Sequence, residues 1–129
     1  MIFASSTGSS GHSLSAGGPI LHPNLDCGVL NFLAPRTLAF RPLILPISID
    51  QPIKMGLTRT SKADEVDIHL DGVSVGKLSK DQLIHVSRAE HPFPVFNFFG
   101  TTADWNHRLS RCLNWNQPYQ NTSKVIKSS

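Results

Sequence analysis

The run from Ser5 to Pro19, SSTGSSGHSLSAGGP, limits what this chain can build more than any other stretch. It is so dense in Ser, Thr and Gly that its backbone bends tightly and approaches a ligand closely. Gly8 reaches positive φ and has no Cβ to hold a ligand away, while Thr7, Ser9 and Ser10 each offer a hydroxyl able to cap a helix start. Ser10 to Ala16 then suits a short helix stopped by Gly17-Gly18-Pro19, because glycine serves at helix C-termini and proline cannot continue the hydrogen-bond ladder. Amides at such a helix entry, with the positive end of the helix dipole, favour an anion, which points to a nucleotide or a phosphorylated small molecule. The same composition also suits a plain loop or a disordered tail.

Downstream, the pattern is that of strands. Gly28 to Leu33 reads as one, the alternating Leu38 and Phe40 as another, and Leu43-Ile44-Leu45 as a short buried one between Pro42 and Pro46. Ile53, Met55 and Leu57 alternate with Lys54 and Gly56 as in a half-buried strand, and Arg59 to Asp64 is polar enough for a turn. Val66, Ile68 and Leu70 alternate with Asp67 and His69, reach Asp71-Gly72 and resume at Val73 and Val75, the pattern of a two-residue hairpin. Leu83 to Ser87 reads as a further strand. Val95 to Phe99 is an apolar patch beside Pro92 and Pro94, expected to pack across the end of the fold with its phenylalanines in the core. From Thr102 as N-cap, Trp105, Leu109, Cys112 and Leu113 form one apolar helical stripe, with Asp104 near the positive end and Arg108 and Arg111 further along. This helix is expected to clasp the sheet, and Trp105 and Trp115 read as core aromatics rather than ligand contacts. Asn121 to Ser129 is polar and reads as a frayed tail.

A length of 129 residues suits one domain with a modest core. Hydrophobic and charged fractions of 40% and 16% exclude the disordered and fibrous classes. A formal net charge of +3 and a pI near 9.1 would allow nucleic-acid binding, but the basic residues are scattered, so no nucleic-acid partner is expected. Cys27 and Cys112 fit no CxxC or Cys/His spacing, and His12, His22, His69, His85, His91 and His107 are dispersed, so no metal site is expected. No apolar run approaches the roughly twenty residues of a bilayer span, and residues 1–10 are neither basic nor amphipathic enough for a targeting peptide.

The serine-rich run resembles the TPTGSTAYSLSAGGP motif of NAD kinases, and Ile20-Leu21-His22-Pro23 follows at that family's spacing. Pro35-Arg36-Thr37-Leu38-Ala39-Phe40-Arg41-Pro42 is similar to its PRSLSFRP segment. Leu70-Asp71-Gly72 stands where eukaryotic members carry a strand ending in FDG, and His91-Pro92-Phe93-Pro94 resembles their YPFP. Asp104-Trp105, with Leu109 to Asn116, resembles their closing helix. These collinear segments run from Ala4 to Gln117, in the pattern of a eukaryotic, fungal-like member. The resemblance implies a mainly β fold: a β-sandwich like the family's C-terminal domain over residues 1–120, with a short N-terminal helix, a C-terminal amphipathic helix, and a disordered polar tail over 121–129. It implies NAD as substrate, a homo-oligomer assembled through the sandwich, no membrane partner, and a cytoplasmic or mitochondrial location.

The family's GGDG loop, whose aspartate is the expected base toward the adenosine 2′-hydroxyl, and its Asn-Glu pair occur nowhere in this sequence. The chain is therefore expected to be the C-terminal NAD-binding half, without a catalytic residue or metal ligand of its own and inactive in isolation, since phosphoryl transfer depends on positioning and on charge stabilisation by donors and metal. ATP and a divalent metal such as Mg2+ are implied for the full-length enzyme, whose kinase half is then the missing partner. The alternative is a non-catalytic oligomerisation module derived from the same fold.

Carried over residue by residue, the family's TAYSLS stretch, which contacts the adenylate part of NAD, falls on Ser10, Gly11, His12, Ser13, Leu14 and Ser15, with Thr7, Gly8 and Ser9 as the supporting turn. Ser10 and Ser15 keep small hydroxyls. His12 replaces a tyrosine with a flat but smaller ring that still offers a hydrogen bond. Gly11 in place of alanine, and Ser5-Ser6 in place of Thr-Pro, loosen the run, so the implied site has more entropy to lose on binding. Val73 stands where some members carry a polar residue after the hairpin glycine, and that contact is not carried over.

Overall fold

The computed structural model describes residues 1–37, 39–94, 96 and 101–114. Three strands form the sheet beneath the serine-rich run: β1 (Ile2–Ser5), β2 (Cys27–Asn31) and β3 (Leu43–Pro46), antiparallel in the order β1-β2-β3. Ala4 pairs with Val29, and Val29 with Ile44. Alternation along β2 sends Cys27, Val29 and Asn31 to one face and Gly28 and Leu30 to the other. Val29 is wholly buried, and Asn31 is buried beside it. On the opposite face Gly28 admits no side chain, because a Cβ there would lie 2.4 Å from Phe3 Cζ and 2.8 Å from Ile47 Cδ1.

Two further antiparallel ladders complete the strands, β4 (Ile53–Gly56) with β7 (Leu83–Val86) and β5 (Glu65–Leu70) with β6 (Val73–Ser79). The Asp71-Gly72 turn between β5 and β6 has φ 49° and 84° at its two residues, the double positive φ of a type I′ hairpin. A bulge at Ile68/His69 and Gly76 at φ 145° break the ladder's regularity. Lys77 pairs with Glu65 across the hairpin, and Lys80 with Asp64 at 2.7 Å. The hydrogen bond and charge of Glu65 hold the Lys77 ammonium above its ordinary pKa. Arg88 pairs with Asp26 at 2.7 Å and donates its backbone N–H to Ser48 O, which ties the exit of β7 to the β2–β3 sheet.

Helix α1 (His12–Ser15) is one turn long and helix α2 (Thr101–Leu113) is the amphipathic one. Asp104 and Arg108 pair one turn apart on α2, and Asn114 at φ 50° ends it in the left-handed conformation. The His22 and Trp105 rings meet edge to face at 4.7 Å, so α2 lies against the segment that follows the serine-rich run.

The mainly β architecture with two flanking helices is thus the one expected, and the I′ hairpin and the half-buried alternation at Ile53 and Met55 hold residue by residue. Several details differ. Strand β1 was not legible, because three apolar residues, Ile2, Phe3 and Ala4, precede a run of serines. Strand β2 stops at Asn31 rather than Leu33, since the chain bends there and Ala34 takes φ 43°. No strand forms at Phe40: Thr37 Oγ1 accepts the Ala39 N–H, Thr37 O accepts the Phe40 N–H, and the Phe40 ring tilts against Phe32 at 5.1 Å. Leu38 lies outside the described residues. Strand β3 forms at the sheet's edge, but Leu43 and Ile44, on opposite faces of it, are 47% and 55% exposed rather than buried. Phe96 stands 94% exposed instead of in the core, and the other residues of the Val95–Phe99 patch, with Trp115 and the tail 121–129, lie outside the described residues.

Replacing Gly28 with Ala forces a methyl group into the Phe3 ring and the Ile47 methyl, and should cost about 1–3 kcal/mol in urea unfolding. Adding Phe3→Leu, which removes the ring tip, should recover part of that loss, whereas simple additivity of the two substitutions would show that Phe3 is not the obstacle.

A hydroxyl-lined bend beside a cleft

Strand β1 delivers the chain into a 3₁₀ turn, Thr7–Ser10, followed by Gly11 and then α1. Gly11 at φ −95°, ψ −128° breaks what the sequence suggested as one helix from Ser10 to Ala16 into two short turns. The hydroxyls of the run serve the run itself. Ser5 Oγ accepts the Gly8 N–H at 3.1 Å, and Ser6 Oγ donates to Pro23 O at 3.3 Å. Ser9, fully buried, donates to Ser6 O at 2.6 Å and accepts the Leu21 N–H at 2.9 Å. Ser10 Oγ donates to Thr7 O at 3.4 Å. No side chain caps α1, and the Ser9 and Gly11 amides bond back to Ser6 O and Gly8 O. The Gly8, Ser9 and Gly11 amides are thus spent within the bend, and the one turn of helix that follows sums few peptide dipoles. Ser5 and Ser6, which stand where the family motif has Thr-Pro, thus supply two of the bend's own hydrogen bonds.

The far end of the bend is held from the sheet. Ser13 O accepts the Gly18 N–H at 2.8 Å and Asn31 Nδ2 at 3.1 Å, and Ala16 O accepts the same nitrogen at 3.0 Å. Gly17 at φ 80° turns the chain out of α1. Gly18 is packed so closely that a Cβ would lie 2.5 Å from Ser13 Oγ. Ser13 is 1% exposed, and its hydroxyl has no partner among the described residues.

This scaffold presents Thr7, Gly8, Ser10, Gly11, His12 and Ser15 on its outer, exposed face. Ser9 and Ser13 point inward. Leu14 is half-buried and, with Gly18, Pro19 and Ile20, forms one wall of a cleft of about 630 Å³; Trp105, Asn106, Leu109 and Ser110 of α2 form the other. The cleft is within the size range of small-molecule sites and mixes apolar walls with a few polar groups, as such sites do. Trp105, read from sequence as core, is half-buried on this wall, and α2 closes over the bend's exit. Sequence reasoning also missed Asn31, whose signal was a polar side chain two places from Val29 on an otherwise apolar strand. Cys27 on β2 is a half-buried free thiol, and among the described residues no three His, Cys, Asp or Glu side chains gather to hold a metal. Nor is any helix among them long and apolar enough to cross a membrane.

Residues 1–98 match the family model for the ATP-NAD kinase C-terminal domain. The probable chloroplastic NAD kinase 2 of rice, Oryza sativa subsp. japonica, is 38% identical over 91% of this chain and 12% of its own length. The NAD(+) kinase of Saccharomyces cerevisiae is 32% identical over 95% of this chain and 22% of its own. Similarity thus reaches plants as well as fungi. The crystal structure of yeast NADH kinase complexed with NADH superposes with a TM-score of 0.59 at 28% identity, covering 93% of this chain and 36% of that one. The chain thus spans well under half the length of each of these proteins.

Ser9→Ala strands the buried Leu21 N–H and leaves Ser6 O with the residue 9 backbone N–H alone, and should cost about 1–3 kcal/mol of stability. Ser13→Ala removes a hydroxyl that bonds nothing among the described residues, and should leave the melting temperature unchanged or raised. Paired thermal denaturation checks both; equal losses would mean that the Ser13 hydroxyl has a partner in solution.

Proposed function

The chain belongs to the NAD kinase family, matching its C-terminal domain, and from that premise we propose that it is the NAD-binding part of an ATP-dependent kinase that phosphorylates the adenosine 2′-hydroxyl of NAD to give NADP. One observation carries the reading: the stretch that aligns with the family's NAD motif turns an exposed, hydroxyl-bearing face outward and runs through Leu14 into a cleft. Yeast NADH kinase, which shares this fold, was solved with NADH.

In this reading Ser10 and Ser15 offer hydroxyls to the ribose and adenine of NAD, and Gly11 lets the ligand approach the backbone. His12 lays a flat ring with a hydrogen-bonding nitrogen where the family has tyrosine. Leu14 supplies apolar wall, and Ser13 acts from within as scaffold. Thr7, Gly8 and Ser9 set the turn. The domain runs over residues 1–120, with 121–129 as tail. Its compartment is the cytoplasm or mitochondrion, or the plastid as in the plant relatives' names.

The sequence contains neither GGDG nor the Asn-Glu pair, so in this reading ATP, a divalent metal and the base belong to a partner kinase half. Alone it binds without turning over. A second reading, a module for assembly between copies, is favoured by a separate observation: Leu70, Val73 and Leu83 are each 60% or more exposed, far more apolar surface than a settled monomer needs to show.

Calorimetric titration with NAD should give saturable heat, and a Ser10→Ala, Ser15→Ala double variant should bind about ten- to thirtyfold more weakly, the loss of two hydrogen bonds. No heat from demonstrably folded protein would remove the ligand reading. NADP formation from NAD and ATP by the isolated chain would remove the claim of inactivity. Light scattering after size exclusion should show dimers or larger species, and a monomer at high concentration would count against the assembly reading.

A further inference from the structure

We infer that Asn31 is a positioning residue that fastens the ligand-facing bend to the sheet, an inference that rests on the NAD reading for what the bend holds. Its side chain reaches no ligand. It stands on the inward face of β2 beside Val29 and is 2% exposed, where an unpaired amide would be costly. The amide nitrogen has two hydrogens and meets two carbonyls, Ser13 O at 3.1 Å and Ala16 O at 3.0 Å, which also settles which end of the amide faces the bend.

Ser13 O also accepts the Ala16 and Gly18 N–H groups, whereas Asn31 is the one donor that Ala16 O has among the described residues. A helix of four residues is far too short to persist on its own propensity. Gly8, Gly11, Gly17 and Gly18 around it make the segment the costliest in the chain to order. A single side chain from the sheet thus bridges α1 and the residue that caps it, while Gly18 closes beneath, with its missing Cβ only 3.1 Å from Asn31 Nδ2. Removing the bridge frees α1 from the sheet, and with it Ser10 to Ser15, without touching any ligand-facing group.

Thr and Val have nearly the same shape, so Asn31→Thr, which keeps one donor, and Asn31→Val, which keeps none, isolate the hydrogen bond from packing. Amide hydrogen exchange by NMR should show the Gly17 and Gly18 amides opening about tenfold faster in Asn31→Val than in the unsubstituted protein, with Asn31→Thr between them and the β1–β2 ladder equally protected in all three. NAD affinity should fall in the same order, about fivefold for Thr and about thirtyfold for Val. Wild-type protection of the bend in Asn31→Val, or unchanged NAD affinity in that variant, would overturn the inference. If Asn31→Val loses sheet protection as well, the Thr variant decides: faster bend exchange with an intact ladder supports the fastening role, and wild-type exchange overturns it. If the unsubstituted protein gives no heat with NAD, the ligand reading falls while the exchange pattern still upholds or overturns the fastening role.

Discussion

A Gly/Ser-rich segment can be part of a folded domain only if its backbone polar groups find partners, and here the partners are buried serine and asparagine side chains. Ser9 joins Ser6 O to the Leu21 N–H, and Asn31 joins two carbonyls of the α1 turn. Such bonds add about 1 kcal/mol each when made and cost more when one partner is removed from a buried pair. The bend is therefore held by satisfaction of its polar groups rather than by apolar packing, for which it has almost no side chains.

That arrangement explains which parts of the fold were legible in the sequence. Strands with alternating side chains declare themselves: Ile53 and Met55 alternate as they lie, and Asp71-Gly72 specifies a turn with two positive φ angles that few other pairs adopt. Leu38 and Phe40 also alternate, yet Phe40 sits in a turn, because Thr37 offers the backbone a local partner that competes with a ladder. Strand β1 has only three apolar residues and gains its identity by pairing with β2 across a long connection, information that no local window contains. The bend itself was legible through its glycines and hydroxyls. Its internal mechanics were not, since composition alone cannot distinguish a serine that faces a ligand from one that bonds a carbonyl two turns away.

The apolar surface follows a similar logic at larger scale. Only Leu21, Val29 and Leu78 are buried among the described hydrophobic residues, while both strands of the β5–β6 hairpin carry exposed aliphatic side chains. A two-stranded hairpin is marginal in water without a covering layer. The curated relatives and the solved neighbour are all far longer than this chain, so in them the same surface has more protein to meet. Stability of the chain by itself then rests on the β1-β2-β3 sheet and its polar roof.

The substitutions that set this bend apart from the family motif divide into two kinds. Gly11 adds backbone freedom, which must be lost on binding. Ser6, where the motif has proline, also frees φ, but its hydroxyl reaches Pro23 O and recovers part of that freedom as a bond between the start of the bend and the chain leaving it. Preorganisation is thus transferred from covalent stiffness to hydrogen bonds that water can compete for. Proline restricts the unfolded chain as much as the folded one, whereas a hydroxyl bond exists only while its neighbours stay in place. The bend's shape consequently depends on the sheet below it, and whatever loosens β2 loosens the face that carries Ser10, His12 and Ser15.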